Sequence, residues 1–159
     1  MQTTYSATPV TARAKEKEMQ IQHLSLEDLL PPGNKLVLNR QTRTLLLLAE
    51  GPCLLIEQQF SVNELYVLIP MLELFPHYCP YEVLLSHISG NAVTPASIDY
   101  YRRCLQEAQD RGTWQQELRP IRRALSSLRT KLHHFGLEVS NVRERGCSLT
   151  SLTQPALPG

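Results

Sequence analysis

The chain has 159 residues, of which 42% are hydrophobic and 19% charged, and its net charge is +1. That length suits one packed domain with tails, and the composition lies far from the polar, highly charged regime that prevents folding, which excludes a fully disordered chain. The near-neutral total hides an uneven spread: from Arg119 to Arg145 seven basic side chains stand against two acidic ones, an excess of five, while the remainder is acidic by four.

Residues 1–33 read as an N-terminal extension, partly flexible. Thr, Ser, Ala and Gln surround the charged patch Arg13-Ala14-Lys15-Glu16-Lys17-Glu18, and the segment closes on Pro31-Pro32-Gly33, a strong stop because proline cannot continue a helix and glycine permits the turn. Within it Met19–Leu30, with Ile21, Leu24, Leu26, Leu29 and Leu30, has the spacing of a short amphipathic helix. From Lys35 to Gln58 short apolar runs alternate with turn residues. Leu36-Val37-Leu38, Thr44–Ala49 and Cys53–Ile56 are separated by Asn39-Arg40-Gln41-Thr42 and Glu50-Gly51-Pro52, which predicts a small antiparallel meander.

Ser61-Val62-Asn63-Glu64 is a capping box and starts a helix with Leu65, Leu68, Leu72 and Phe75 on one stripe; Pro70 should kink it or end its first half. A second helix follows Pro80, with Val83, Leu84, Leu85 and Ile88 inward and Gly90 as its stop. Thr94-Pro95-Ala96-Ser97 opens a polar helix through Tyr100, Tyr101, Cys104, Leu105 and Ala108 to Gly112. Leu118, Ile121, Leu125, Leu128 and Leu132 then recur every three or four residues, a core-facing helical stripe that ends at Gly136. Leu137–Val142 and Gly146–Leu152 flank Arg143-Glu144-Arg145 as a hairpin with a basic tip. Residues 153–159 read as a flexible tail.

Cys53, Cys79, Cys104 and Cys147 have no C-x-x-C spacing and follow no secretory leader, so reduced, packed thiols in a cytoplasmic protein are expected. The longest apolar stretches, Leu45–Ala49 and Leu65–Leu72, fall far short of the roughly 20 residues of a membrane crossing, and no membrane partner is expected.

Opposite the Leu118–Leu132 stripe lie Arg119, Arg122, Arg123, Ser126, Ser127, Arg129, Thr130 and Lys131, and no acidic residue occurs from Arg119 to His134. A solvated helix face commonly mixes both signs at i,i+4. A helix of one sign, followed by an Arg-tipped hairpin, has what a duplex requires: cations to neutralise phosphates, and a rod narrow enough for the major groove. Arginine also forks two hydrogen bonds to guanine.

The order of elements resembles the effector domain of OmpR/PhoB-type winged-helix response regulators, over about residues 35–150. Leu36-Val37-Leu38, Arg43, Gly51, Ile56 and Ser61-Val62-Asn63-Glu64 look like its strand, turn and helix start. Ser127-Leu128-Arg129-Thr130-Lys131-Leu132 is similar to the end of its recognition helix, and Val142-Arg143-Glu144-Arg145-Gly146-Cys147-Ser148-Leu149 to its wing.

The resemblance implies an α+β winged helix-turn-helix over residues 34–152, with an N-terminal antiparallel sheet, three core helices plus an inserted one, and a hairpin wing. It implies double-stranded DNA as partner, with Ser126, Ser127 and Arg129 at the major groove, Asn141 on the backbone, and Arg143, beside Arg145, at a phosphate or the minor groove. RNA polymerase subunits and a second copy of the chain are further partners it suggests. The sequence departs from the family in the long segment Asn91–Gln116, in Ser126-Ser127 where basic residues are common, and in Glu144 and Cys147 where the wing has glycine and tyrosine. With no receiver domain ahead of the module, control by aspartyl phosphorylation on this chain is not expected.

A protein-interaction module is the alternative, in which Tyr100, Tyr101 and Trp114, or the N-terminal segment, meet a protein partner, since fold does not fix function. An enzyme using Cys79 is a weaker one: no Gly-rich phosphate loop, H-E-x-x-H or G-x-S-x-G occurs, and no cofactor or catalytic residue is expected. His133 and His134 point about 100° apart on a helix, a poor geometry for sharing one metal ion.

Overall fold

A computed structural model describes residues 20–51, 53–74 and 76–152, and the chain divides into two compact units, 1–60 and 61–159. Most of the N-terminal extension, Phe75 of the expected helical stripe, Pro52 of an expected turn and the expected tail from Thr153 lie outside the described residues. The architecture is mixed α+β, with two antiparallel sheets and several helices.

In the first unit β1 (Ile21–Leu24), β2 (Lys35–Asn39), β3 (Thr44–Ala49) and β4 (Cys53–Gln59) form a sheet in chain order. The register sets Leu36 opposite Leu47 and Leu38 opposite Leu45, so strand alternation gathers these four leucines on one buried face. Asn39 shapes the β2–β3 turn, its Oδ1 accepting from the amides of Gln41 at 3.0 Å and Thr42 at 3.2 Å. Arg43, in the left-handed region at φ 57, donates from Nε to the Phe60 carbonyl at 3.0 Å.

β1 corrects the helix expected over 19–30. Ile21 pairs with Asn39 and Leu24 with Leu36, because the open edge of β2 gives a short segment a full set of backbone partners that an isolated turn of helix lacks. The helical spacing of Leu26, Leu29 and Leu30 belongs to one tight turn, in which the amides of Leu29 and Leu30 both donate to the Leu26 carbonyl and all three side chains are buried.

The second unit opens with α1 (Val62–Glu73) and continues through β5 (Tyr78–Pro80), α2 (Tyr81–Ile88), α3 (Pro95–Arg111), α4 (Trp114–Glu117) and α5 (Arg119–His133) to β6 (Leu137–Val142) and β7 (Gly146–Ser151). The capping box is formed: Ser61 Oγ accepts from the Glu64 amide at 3.1 Å and the Glu64 carboxylate from the Ser61 amide at 2.7 Å. Pro70 does not end α1, which runs on to Glu73. Thr94 and Ser97 exchange the equivalent bonds ahead of α3, Pro95 takes its first position, and Gly112 closes it at φ 75.

Helices α1, α2 and α5 pack against one another, and the sheet β5-β7-β6 packs beside them. All five apolar residues of the α5 stripe, Leu118, Ile121, Leu125, Leu128 and Leu132, are buried. β5 was not legible in the sequence, since three residues ending in proline carry no periodicity. It crosses β7 at Gly146, where a β-carbon would lie 2.8 Å from Pro80 Cα and closer still to the Cys79 carbonyl oxygen. Only glycine fits that crossing, and it brings the base of the hairpin tip against the start of α2.

Candidate nucleic-acid interface

Along α5, residues spaced at four, three and four positions share a line, so Arg119, Arg123, Ser126 and Thr130 form the ridge opposite buried Leu128, and all four are exposed. Each flank of this ridge is tied to a different element. On one flank Arg129 donates from Nε to the Val139 carbonyl and from its terminal nitrogen to Asn141 Oδ1, each at 3.3 Å, which fixes the helix to β6. On the other, Lys131 Nζ lies 2.8 Å from Glu64 Oε1, which fixes it to α1.

Glu64 is 2% exposed. Burial pushes its carboxyl upward, but hydrogen bonds from Lys131, Ser127 and the Ser61 backbone outweigh that and hold it below the usual glutamate value. Lys131 therefore departs from the expected DNA-facing set, because its ammonium neutralises a buried carboxylate of this chain.

The structure gathers Arg119, Arg122, Arg123 and Ser126 around an open groove of about 430 Å³, together with Gln115 and Gln116 from α4. An adjoining cavity of about 260 Å³ between α5 and β6 has Arg122, Arg129, Asn141 and Tyr81 at its polar rim. Arg122 lines both. Among the described residues Arg119, Arg122, Arg123, Arg143 and Arg145 form no ion pair with a carboxylate. Their charges face water, the arrangement a polyanion can use.

Arg143 is exposed at the hairpin tip, where it and Glu144 take positive φ values of 23 and 51. Arg145 is turned elsewhere: its carbonyl accepts from the Tyr81 amide at 2.9 Å, and its side chain shares a cavity with Tyr78, Glu82 and Trp114 rather than with the α5 arginines. The expected basic strip thus divides. Arg119, Arg122, Arg123, Ser126 and, across the second cavity, Arg129 and Asn141 come together. Lys131 and Arg145 stand outside that group, and Arg143 lines neither of its two cavities.

Sequence reasoning missed Gln115, Gln116 and Tyr81. The glutamines belong to a single helical turn, too short for a periodic signal, and Tyr81 reaches the rim only because β5 anchors the start of α2 to the hairpin.

Cys79 and Cys147 face each other across β5 and β7. Both are free and buried, Cys79 pushed up to about 12 and Cys147 to about 11, in each case first by burial. The Cys79 thiol is consequently protonated at neutral pH and shielded, the opposite of an activated nucleophile. Among the described residues no three His, Cys, Asp or Glu side chains gather to hold a metal ion, and no helix is long and apolar enough to cross a membrane. Comparison with protein-family models, curated proteins and solved structures found no match.

Proposed function

We propose that this protein is a cytoplasmic winged-helix transcription regulator of the OmpR/PhoB type that binds double-stranded DNA in a sequence-specific manner. On this reading α5 is the recognition helix, β6 and β7 are the wing, and α3 is the inserted helix. The observation that carries it is the unpaired guanidinium cluster of Arg119, Arg122 and Arg123 on a helix whose two flanks are braced by β6 and α1. A braced helix can present its outer face to a groove without losing its own packing, and its arginines, having no carboxylate partner, have none to surrender on binding a phosphate.

Ser126 and Thr130 on the ridge suit base edges, since hydroxyls donate and accept. Gln115 and Gln116 extend the polar surface ahead of Arg119. Arg143 reaches a phosphate or the minor groove from the wing.

The test is selection of bound duplexes from a randomised pool by the whole protein, repeated with Ser126→Ala. A defined enriched site for the wild type, with relaxed preference at one position in the variant, is the expected result. A pool that stays random after repeated rounds would refute sequence-specific recognition.

A second reading draws on Tyr100, which is 54% exposed on α3 and stacked edge-on with Tyr101 at 5.0 Å. Such a pair suits a protein partner. Under the DNA reading Tyr100→Ala leaves duplex affinity unchanged, whereas under the second it abolishes capture of a partner.

A further inference from the structure

A cavity of about 310 Å³ opens between α3, α4, β5 and the hairpin tip. We propose that it binds a small zwitterion with an apolar body, an α-amino acid with a large side chain being the simplest case, and that the bound molecule sets the position of the tip. The second half of this proposal rests on the reading of the hairpin as a DNA-contacting wing.

Its lining includes Pro80, buried Leu105 and the rings of Tyr78 and Trp114, together with the amides of Gln106 and Gln109; Trp114 is held edge-on against Tyr81 at 6.2 Å. The lining also carries four charged groups, two of which neutralise each other. Glu82 is paired with Arg102 at 3.2 Å, and Arg102 also reaches Asp99 at 3.3 Å. Glu144 and Arg145 are left, neighbours of opposite sign that form no ion pair among the described residues.

A ligand with an ammonium and a carboxylate a few bonds apart satisfies both, while a singly charged one leaves one of them opposed or unmet. The Tyr78 hydroxyl is pushed upward by burial and by Glu82, partly opposed by Arg145, so it remains a donor at neutral pH beside the carboxylate-binding end. The volume lies at the small end of ligand cavities, near 300 Å³, which suits a molecule of amino-acid size. Because Glu144 is at the positive-φ turn next to Arg143, a ligand held between the tip and α3 restrains the backbone that aims Arg143.

Trp114 is the chain's single tryptophan, so its emission reports on this cavity directly. The whole protein is titrated with L-phenylalanine, L-leucine and L-methionine, and in parallel with phenethylamine and 3-phenylpropionate, which each keep one charge. Saturable emission changes with at least one amino acid, absent with the single-charge analogues and weakened about tenfold or more in both Glu144→Gln and Arg145→Gln, are expected. These positions are exposed, so the variants fold. No saturable change with any amino acid, equal responses to the single-charge analogues, or unchanged binding in the variants would overturn the site.

Duplex affinity is then measured with and without the amino acid that binds. A shift in wild type that is lost in Arg145→Gln supports the coupling, and no shift overturns it. Emission is read without DNA, so a dead cavity leaves the DNA reading standing, while absence of duplex binding both with and without the amino acid removes that reading and leaves the cavity.

Discussion

Replacing Lys131 with methionine keeps most of the side-chain stem that packs along α5 but removes the ammonium 2.8 Å from a carboxylate that is 2% exposed. Breaking a fully buried pair costs about 3–5 kcal/mol, because the remaining charge is stranded. Here Glu64 retains the Ser61 amide and Ser127, and the Lys131 side chain is 28% exposed, so about 2 kcal/mol is expected at neutral pH. For a unit of this size that is roughly a 10 °C fall in melting temperature.

The pH dependence follows from the lowered value of Glu64. Its stabilisation is fully present above the unfolded value of 4.5 and is lost as pH falls through the folded one. The deficit of Lys131→Met relative to wild type should therefore be largest near pH 7 and shrink as pH falls through the lowered folded value of Glu64, below which the carboxyl is protonated in both. Urea denaturation across that range, with Glu64→Gln and the double variant completing a cycle, measures it. A deficit under about 0.5 kcal/mol at pH 7, or one that does not change with pH, would refute the assignment of Lys131 to α1.

Other positions give independent checks. Gly146→Ala places a β-carbon against the β5 backbone and should destabilise by about 2 kcal/mol in urea, far more than an ordinary exposed-strand substitution. Ser61→Ala removes the α1 cap and should cost about 1 kcal/mol in the same assay. A thiol reagent at pH 8 should modify Cys53 first and leave Cys79 and Cys147 unmodified until the protein unfolds, and mass mapping of the labelled peptides reads the order.

Elements with strong local chemistry were legible in the sequence. The Ser61 box, the helix start at Thr94-Pro95, the Gly112 stop and the three–four spacing from Leu118 to Leu132 each state their structure within a few residues, and all are realised. What the sequence hid depends on distant partners. β1 exists because β2 offers an edge, and β5 because Gly146 lets a proline-ended strand cross. The basic face of α5 was legible as a pattern of sign, but Lys131 could not be separated from it. Glu64, its partner, lies 67 positions away and had already been explained by its cap. Arg145 was drawn from the face by the same kind of long-range geometry, the pairing of the hairpin with β5.

The decisive comparison removes equal charge from two helices. Arg122→Ala/Arg123→Ala takes two unpaired guanidiniums from α5. Arg103→Ala/Arg111→Ala takes two from α3, where Arg103 and Arg111 pair with Asp99 at 3.6 Å and Glu107 at 4.0 Å. Duplex affinity is measured against salt for both and for wild type. A log–log slope reduced by about 1.8 for the α5 variant and unchanged for the α3 variant is expected if α5 meets the phosphates. Equal reductions in the two variants, or an affinity that does not respond to salt, would contradict α5 as the surface that meets DNA.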